Sequence, residues 1–97
     1  MAADDDDKRG RRSSGSRTLT RGLALLNALG EHGDGATVSG LAESTGLDRA
    51  VLYRLLDTLT GEGFVTRDPE TRKYRLGLSM LELGVRAAQG LEVRRLA

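Results

Sequence analysis

The stretch from Val38 to Leu59, which reads VSGLAESTGLDRAVLYRLLDTL, limits the fold of this chain more than any other part of it. Its apolar residues follow helical spacing on either side of a turn at Gly46-Leu47. Glycine tolerates the left-handed backbone that ends a helix, and the leucine after it supplies an apolar side chain for the core. This order predicts a helix-turn-helix, whose second helix fits the major groove of DNA.

The second helix of this unit has one apolar face and one polar face. Asp48 is its predicted N-cap. Leucines at i, i+3, i+4 and i+7 predict the buried stripe, which consists of Leu52, Leu55, Leu56 and Leu59. The first two turns of the polar face, which reach base edges in recognition helices, carry four candidate DNA contacts: Arg49, Ala50, Tyr53 and Arg54. The alternative is an ordinary exposed helix surface.

The first helix of the unit is predicted to begin after Thr37 as N-cap and to turn Leu41 and Ala42 inward. Ser39 lies in its first turn. Its hydroxyl is a candidate donor to a DNA phosphate, and a plain surface serine is the alternative.

An apolar helix is predicted before this unit, with Thr18 as its N-cap and the loop Gly33-Asp34-Gly35 after its end. One face carries residues at helical spacing: Leu19, Leu23, Leu26 and Gly30. Leu25 and Leu29 widen the apolar arc beyond what a small core needs. Such a helix is either buried within its own domain or packs on a second subunit as well.

A wing is predicted behind the recognition helix. Gly61-Glu62-Gly63 ends that helix, and two short strands at 64–67 and 73–76 follow, separated by a turn with Pro69 near its start. Phosphate contacts position a protein on DNA without specifying sequence. The candidates for such contacts on the wing are Arg67, Arg72, Lys73 and Arg75.

The helical period returns at Leu78 with two apolar stripes. One contains Leu78, Leu81, Val85 and Ala88, and the other contains Met80, Leu83 and Ala87. Two stripes predict a helix that contacts both its own domain and another surface. We expect residues 78–97 to be a linker helix that leads to a further, absent domain.

Residues 1–17 contain almost nothing apolar, which predicts a disordered arm of acidic and basic residues. DDDDK at 4–8 matches an enteropeptidase cleavage sequence, so it is either a remnant of protein expression or a native tail. Positions 9–21 hold five arginines and no acid. Arg17 and Arg21, at the end of this basic run, are candidate phosphate contacts; a solvated tail is the alternative for the arm.

Composition argues against several other classes of protein. The 97 residues allow one small domain, and without cysteine there is no disulfide or thiolate metal site. The single histidine, His32, sits beside glycines and is interpreted as solvent-exposed. We therefore predict no metal, no cofactor and no enzymatic activity. No apolar run approaches the ~20 residues that cross a bilayer, so the expected location is the cytoplasm.

The run from Thr18 to Gly84 resembles the N-terminal DNA-binding domain of IclR-type (isocitrate lyase regulator) transcription factors. The matching segments are RGLALLNALGEHG, TVSGLAESTGLDRAVLYRLLDTL, EGFVTRDPETRKYRLG and LSMLELG. The resemblance implies a winged helix-turn-helix, a homodimer formed largely through this domain, and a pseudo-palindromic operator. The apolar stripes make the first helix and the linker helix the candidate dimer contacts. The resemblance also implies a C-terminal domain that binds a small-molecule effector.

The chain departs from the family pattern at three places. Ala50-Val51 replaces a serine-threonine pair, which favours apolar contact with a thymine methyl group. Asp48 replaces a frequent proline or serine, and its charge suits a helix N-terminus. Arg72 replaces a wing-turn glycine, which costs on the order of 1 kcal/mol if the position needs a positive φ.

The sequence thus predicts a mainly α fold with a small β-hairpin: a winged helix-turn-helix with a three-helix core, a two-stranded wing and a C-terminal linker helix. The predicted divisions are the arm at 1–17, the DNA-binding domain at 18–77 and the linker at 78–97. The predicted function is sequence-specific binding of double-stranded DNA as part of a dimeric transcriptional regulator. The alternative is a winged helix used only for protein–protein assembly, although the polar face is neither acidic nor apolar.

Overall fold

The computed structural model describes residues 15–96, and the side chains of residues 15–91. This part of the chain forms helices and one antiparallel hairpin: α1 (Arg17–Gly30), α2 (Val38–Thr45), α3 (Arg49–Gly61), β1 (Val65–Arg67), β2 (Tyr74–Leu76) and α4 (Leu78–Leu96). The predicted winged helix-turn-helix is confirmed. The DDDDK run and most of the predicted N-terminal arm lie outside the described residues.

The start of α1 differs from the prediction by two residues. Ser16 is the N-cap, and its hydroxyl accepts a hydrogen bond from the Leu19 amide at 3.1 Å. The prediction that Thr18 is the cap was therefore wrong, because Ser16 already satisfies one of the free amides of the first turn. The helix ends at Gly30, with the predicted loop at 33–35 shortly after it.

The buried face of α1 is centred on Leu25 and Leu29, which the sequence indicated only as a widening of the apolar arc. Leu25 and Leu29 are 0% and 1% exposed, whereas Leu19 and Leu23, on the predicted stripe, are 61% and 51% exposed. Both stripes satisfy the helical period, so spacing alone could not decide which one meets the core. The helix consequently keeps an apolar face on the surface.

The core lies between the three helices and the base of the hairpin. Its central leucines, each 0% exposed, are Leu25, Leu41, Leu52 and Leu56. Leu47, Leu55 and Leu59 are partly buried against this cluster, which confirms the predicted stripe of α3 and the role of the turn leucine. Burial of each leucine contributes about 1.5–3 kcal/mol, so this cluster fixes the angle between α2 and α3.

The turn between α2 and α3 has the predicted chemistry. The Thr37 hydroxyl caps α2 by accepting a bond from the Gly40 amide at 3.1 Å. Gly46 ends the helix with φ of 74°, a conformation that glycine adopts without strain. Asp48 then caps α3, since its carboxylate accepts a bond from the Val51 amide at 2.9 Å. The helix-turn-helix geometry is therefore encoded locally.

The hairpin is anchored to the helical core by a contact that was not predicted. β1 pairs with β2 in antiparallel register, with Val65 opposite Leu76 and Arg67 opposite Tyr74. On the other side of β2, Ala36 exchanges two backbone hydrogen bonds of 2.8 and 2.9 Å with Tyr74. A bridge of one residue has no periodic pattern in sequence, and for this reason it escaped prediction.

The start of α4 is fixed against the end of α3. The Gly77 amide donates to the Phe64 carbonyl at 2.8 Å, and the Ser79 amide donates to the Gly63 carbonyl at 3.0 Å. A Cβ added at Gly77 would overlap the Gly63 carbonyl oxygen, so only glycine allows this close approach of two backbones. Beyond this junction, residues 81–91 are all exposed.

Candidate nucleic-acid interface

The polar face of α3 is free of contacts with the core. Arg49, Ala50 and Arg54 are exposed, and Tyr53 is 48% exposed. Leu52 and Leu56 are fully buried on the other side of the same helix. The helix is therefore held by one face and presents basic, aromatic and methyl groups on the other, a combination that suits the donors, acceptors and thymine methyls of a major groove.

Two candidate residues from different helices are joined at the start of α3. The Arg49 guanidinium donates a hydrogen bond of 2.8 Å from Nη2 to the Ser39 hydroxyl. Both side chains are exposed. The contact links the first turn of α2 to the first turn of α3, and it concentrates hydrogen-bond donors at the junction of the two helices.

A second pair of candidate residues comes together between α1 and α3. Arg21 and Arg54 both line a shallow cavity of about 260 Å³, which is completed by Thr18, Val51, Leu55 and Thr58. Two guanidinium groups and two hydroxyls around one depression form a suitable environment for an anion. Arg17 stands exposed one turn earlier, at the start of α1.

The sequence did not predict that Thr18 and Thr58 line this cavity. Thr58 lies one turn after Arg54, and its hydroxyl donates to the Arg54 carbonyl at 3.1 Å. The spacing of four residues could have placed Thr58 beside Arg54. Nothing in the sequence indicated that α1 would bring Thr18 and Arg21 to the same depression, because that requires the packing angle of two helices.

The basic residues of the wing are divided between its two faces. Side chains alternate along a strand, so Arg67 shares a face with Tyr74, and Arg75 lies on the opposite face. The Arg67 guanidinium stacks 5.4 Å from the centre of the Tyr74 ring. Lys73 and Arg75 both lie beside Gly35, where an added Cβ would be 3.0 Å from the Lys73 Cβ.

The tip of the wing combines strain with an ordered turn. Arg72 has φ of 66°, the only positive φ of a non-glycine residue within residues 15–96. The Asp68 carboxylate accepts bonds from the amides of Glu70 at 2.8 Å and Thr71 at 3.3 Å. These two bonds, with a smaller contribution from the Arg75 charge, lower the pKa of Asp68. The carboxylate thus stays ionised and holds the turn that presents Arg72.

His32 is half-buried, whereas the sequence predicted a solvent-exposed side chain. Its Nε2 lies 3.5 Å from the Ser44 hydroxyl, because the loop after α1 folds against α2. Among the side chains of residues 15–91, no three histidine, cysteine or carboxylate groups cluster as metal ligands. None of the helices within residues 15–96 has the length and apolar character needed to span a bilayer.

Comparison with known proteins places this geometry in a family. Residues 18–69 match the model of the IclR helix-turn-helix domain. The chain is 34% identical over 86 residues to the DNA-binding transcriptional repressor YiaJ of Escherichia coli, a match that covers 89% of this chain and 30% of YiaJ. It spans about a third of the length of the curated relatives it matches.

Solved structures of related proteins have the same fold as this chain. An IclR family transcriptional regulator from Brucella abortus superimposes with a TM-score of 0.76 at 26% identity, over all of this chain and 35% of that one. Pseudomonas aeruginosa HmgR gives a TM-score of 0.74 at 32% identity, over 84% of this chain and 35% of HmgR. The shared sequence and the shared arrangement of α1, α2, α3 and the wing lead to one conclusion: the chain belongs to the IclR family and forms its helix-turn-helix domain.

Proposed function

We propose that this chain is the operator-binding part of a transcriptional regulator, with α3 in the major groove of DNA and the wing along the phosphate backbone. The observation that supports this most strongly is the division of α3 into a fully buried leucine face and an exposed face with two arginines and a tyrosine. A protein–protein module would be expected to present an acidic or apolar face there.

The proposed contacts fall into two groups. Base edges are read by the exposed face of α3, through Arg49, Ala50, Tyr53 and Arg54. Phosphates are held from the surrounding elements, through Arg17, Arg21, Ser39, Arg67, Arg72, Lys73 and Arg75. Arginine donates two hydrogen bonds to guanine, while the methyl group of Ala50 suits a thymine methyl.

We propose that the active form is a homodimer, with a second copy covering the apolar surface of α1 and α4. Leu19, Leu23 and Leu81 are 61%, 51% and 63% exposed. A groove of about 500 Å³ lies along α4 and the end of β2, lined mostly by Leu76, Met80, Leu81, Val85 and Ala88. DNA offers no apolar face to cover this surface, and a two-fold dimer matches a pseudo-palindromic operator.

The relatives also suggest how the chain is divided into segments. We propose the arm at 1–17, the DNA-binding domain at 18–77 and a linker at 78–97 that connects to a domain for a small-molecule effector. The relatives support this, since the chain covers only 30–32% of their length. Their names describe transcriptional regulators, and an effector would control operator binding through α4.

Selection of binding sites from random double-stranded DNA tests the proposal directly. We expect a pseudo-palindromic sequence to be enriched, with half-sites about one helical turn apart. The selected duplex should bind at least roughly a thousandfold more tightly than random DNA. Enrichment of no sequence, together with a defined protein complex, would favour the assembly module instead.

Salt dependence tests the proposed role of the wing. Lys73→Ala should reduce the slope of log K against log salt concentration by about one unit, because one fewer phosphate is neutralised. Thr66→Ala is the matched control, since it changes an exposed side chain of β1 without removing charge. An unchanged slope for Lys73→Ala would remove this lysine from the set of contacts.

A further inference from the structure

Among the side chains of residues 15–91, the Ser39 hydroxyl has one hydrogen-bond partner, and that partner is an arginine of the recognition helix. The Ser39 oxygen accepts the 2.8 Å bond from Arg49 Nη2. Other hydroxyls of α2 behave differently: those of Ser44 and Thr45 donate to carbonyls one turn earlier, at 3.0 and 2.7 Å. Ser39 lies too early in α2 for such a helical carbonyl.

Arg49 is well placed to be directed by this bond. It is the first residue of α3, directly after the Asp48 cap, so its backbone is fixed by the helix-turn-helix. Its long side chain is exposed and would otherwise sample many rotamers. The bond to Ser39 uses one of five guanidinium N–H groups, which leaves four for a ligand.

We infer that Ser39 is a positioning residue for Arg49: its hydroxyl holds the guanidinium of the recognition helix before DNA arrives. The inference rests on the proposed function and changes the role of Ser39 within it. The serine acts on affinity through the arginine, in addition to any bond of its own. A guanidinium ordered in advance loses less conformational freedom on binding, and binding is correspondingly tighter.

The expected size of the effect follows from the freedom that one long side chain loses at an interface. Removal of the Ser39 hydroxyl should weaken operator binding by roughly twofold to tenfold when Arg49 is present. With Arg49→Ala already in place, Ser39→Ala should cost clearly less affinity, since only a phosphate bond of its own is then left to lose. Ser39→Thr keeps a hydroxyl at this exposed site and should retain most of the affinity.

A double-mutant cycle measures this dependence on the selected duplex, with Ser39→Ala, Arg49→Ala and the double variant. Ser44→Ala is the matched control, because it removes another exposed hydroxyl of α2 that does not touch Arg49. The melting temperatures of all variants should agree with that of the unmodified chain, since none of these side chains is in the core. Equal losses from Ser39→Ala in both backgrounds would overturn the positioning role.

A measurement on the free chain separates this inference from the proposed function. Nitrogen-15 relaxation of the Arg49 side chain should show greater mobility in Ser39→Ala than in the unmodified chain and in Ser44→Ala. Unchanged mobility would contradict the positioning role even if DNA binding is intact. Failure of the unmodified chain to bind any selected duplex would instead contradict the proposed function.

Discussion

Helices α3 and α4 carry similar leucine-rich stripes, but the stripe of α3 is buried and the stripe of α4 is exposed to solvent. In α3, Leu52 and Leu56 are 0% exposed, while in α4 Leu78 and Leu81 are 67% and 63% exposed. α3 is packed against α2 and β1, whereas α4 leaves the domain after its junction with Gly63. A helical apolar period therefore identifies an apolar face, and it does not show whether the helix's own domain covers that face.

The largest expected difference between the two helices is in monomer stability. Leu52→Ala should lower the free energy of unfolding by about 2–5 kcal/mol, because it leaves a cavity in a closed core. Leu81→Ala is the matched control and should change it by less than about 1 kcal/mol at protein concentrations where the chain is monomeric. Urea titration followed by circular dichroism measures both. Similar losses would show that α4 packs on its own domain as α3 does.

The second difference concerns association. Leu81→Glu should raise the dissociation constant of the proposed homodimer about tenfold or more, because a charge would enter the apolar surface proposed as its interface. Glu82→Gln, at the neighbouring exposed position, is the control and should leave dimerisation intact. Sedimentation equilibrium over a range of concentrations gives both constants. An unaffected dimer in Leu81→Glu would assign the groove beside α4 to something other than a second copy.

The smallest expected effect is at the wing tip. Arg72→Gly should raise stability by on the order of 0.5–1 kcal/mol, since glycine relieves the positive φ but gains freedom in the unfolded chain. The same change should weaken DNA binding, because it removes a charge. Glu70→Gly, at a position without positive φ, should lower stability in the same urea titration. A loss of stability in Arg72→Gly would mean that its side chain stabilises the turn.

Sequence reasoning worked where structure is determined locally. The caps at Thr37 and Asp48 and the left-handed Gly46 were all predicted, because each depends on bonds within a few residues. The exposed face of α3 was also predicted, because the leucine spacing of this helix allows only one buried stripe.

The same reasoning was incomplete where distant segments meet. In α1, two stripes fit the helical period, and only packing against α2 and β2 selected Leu25 over Leu23. The Ala36 bridge, the stacking of Arg67 on Tyr74 and the Ser39–Arg49 bond each join residues at least seven positions apart. None of these pairs has a periodic signal, so their geometry depends on the completed fold.

The central claim is that the exposed face of α3 reads bases. Arg54 on α3 and Arg21 on α1 line the same cavity. They therefore give a matched pair in which one arginine is proposed to contact bases and the other phosphates. Binding of Arg54→Ala and Arg21→Ala is measured on the selected operator and on random DNA at one salt concentration. Arg54→Ala should lower the ratio of specific to non-specific affinity by roughly tenfold to a hundredfold, while Arg21→Ala should weaken both nearly equally. Equal losses on both DNAs for Arg54→Ala would contradict base reading by this residue.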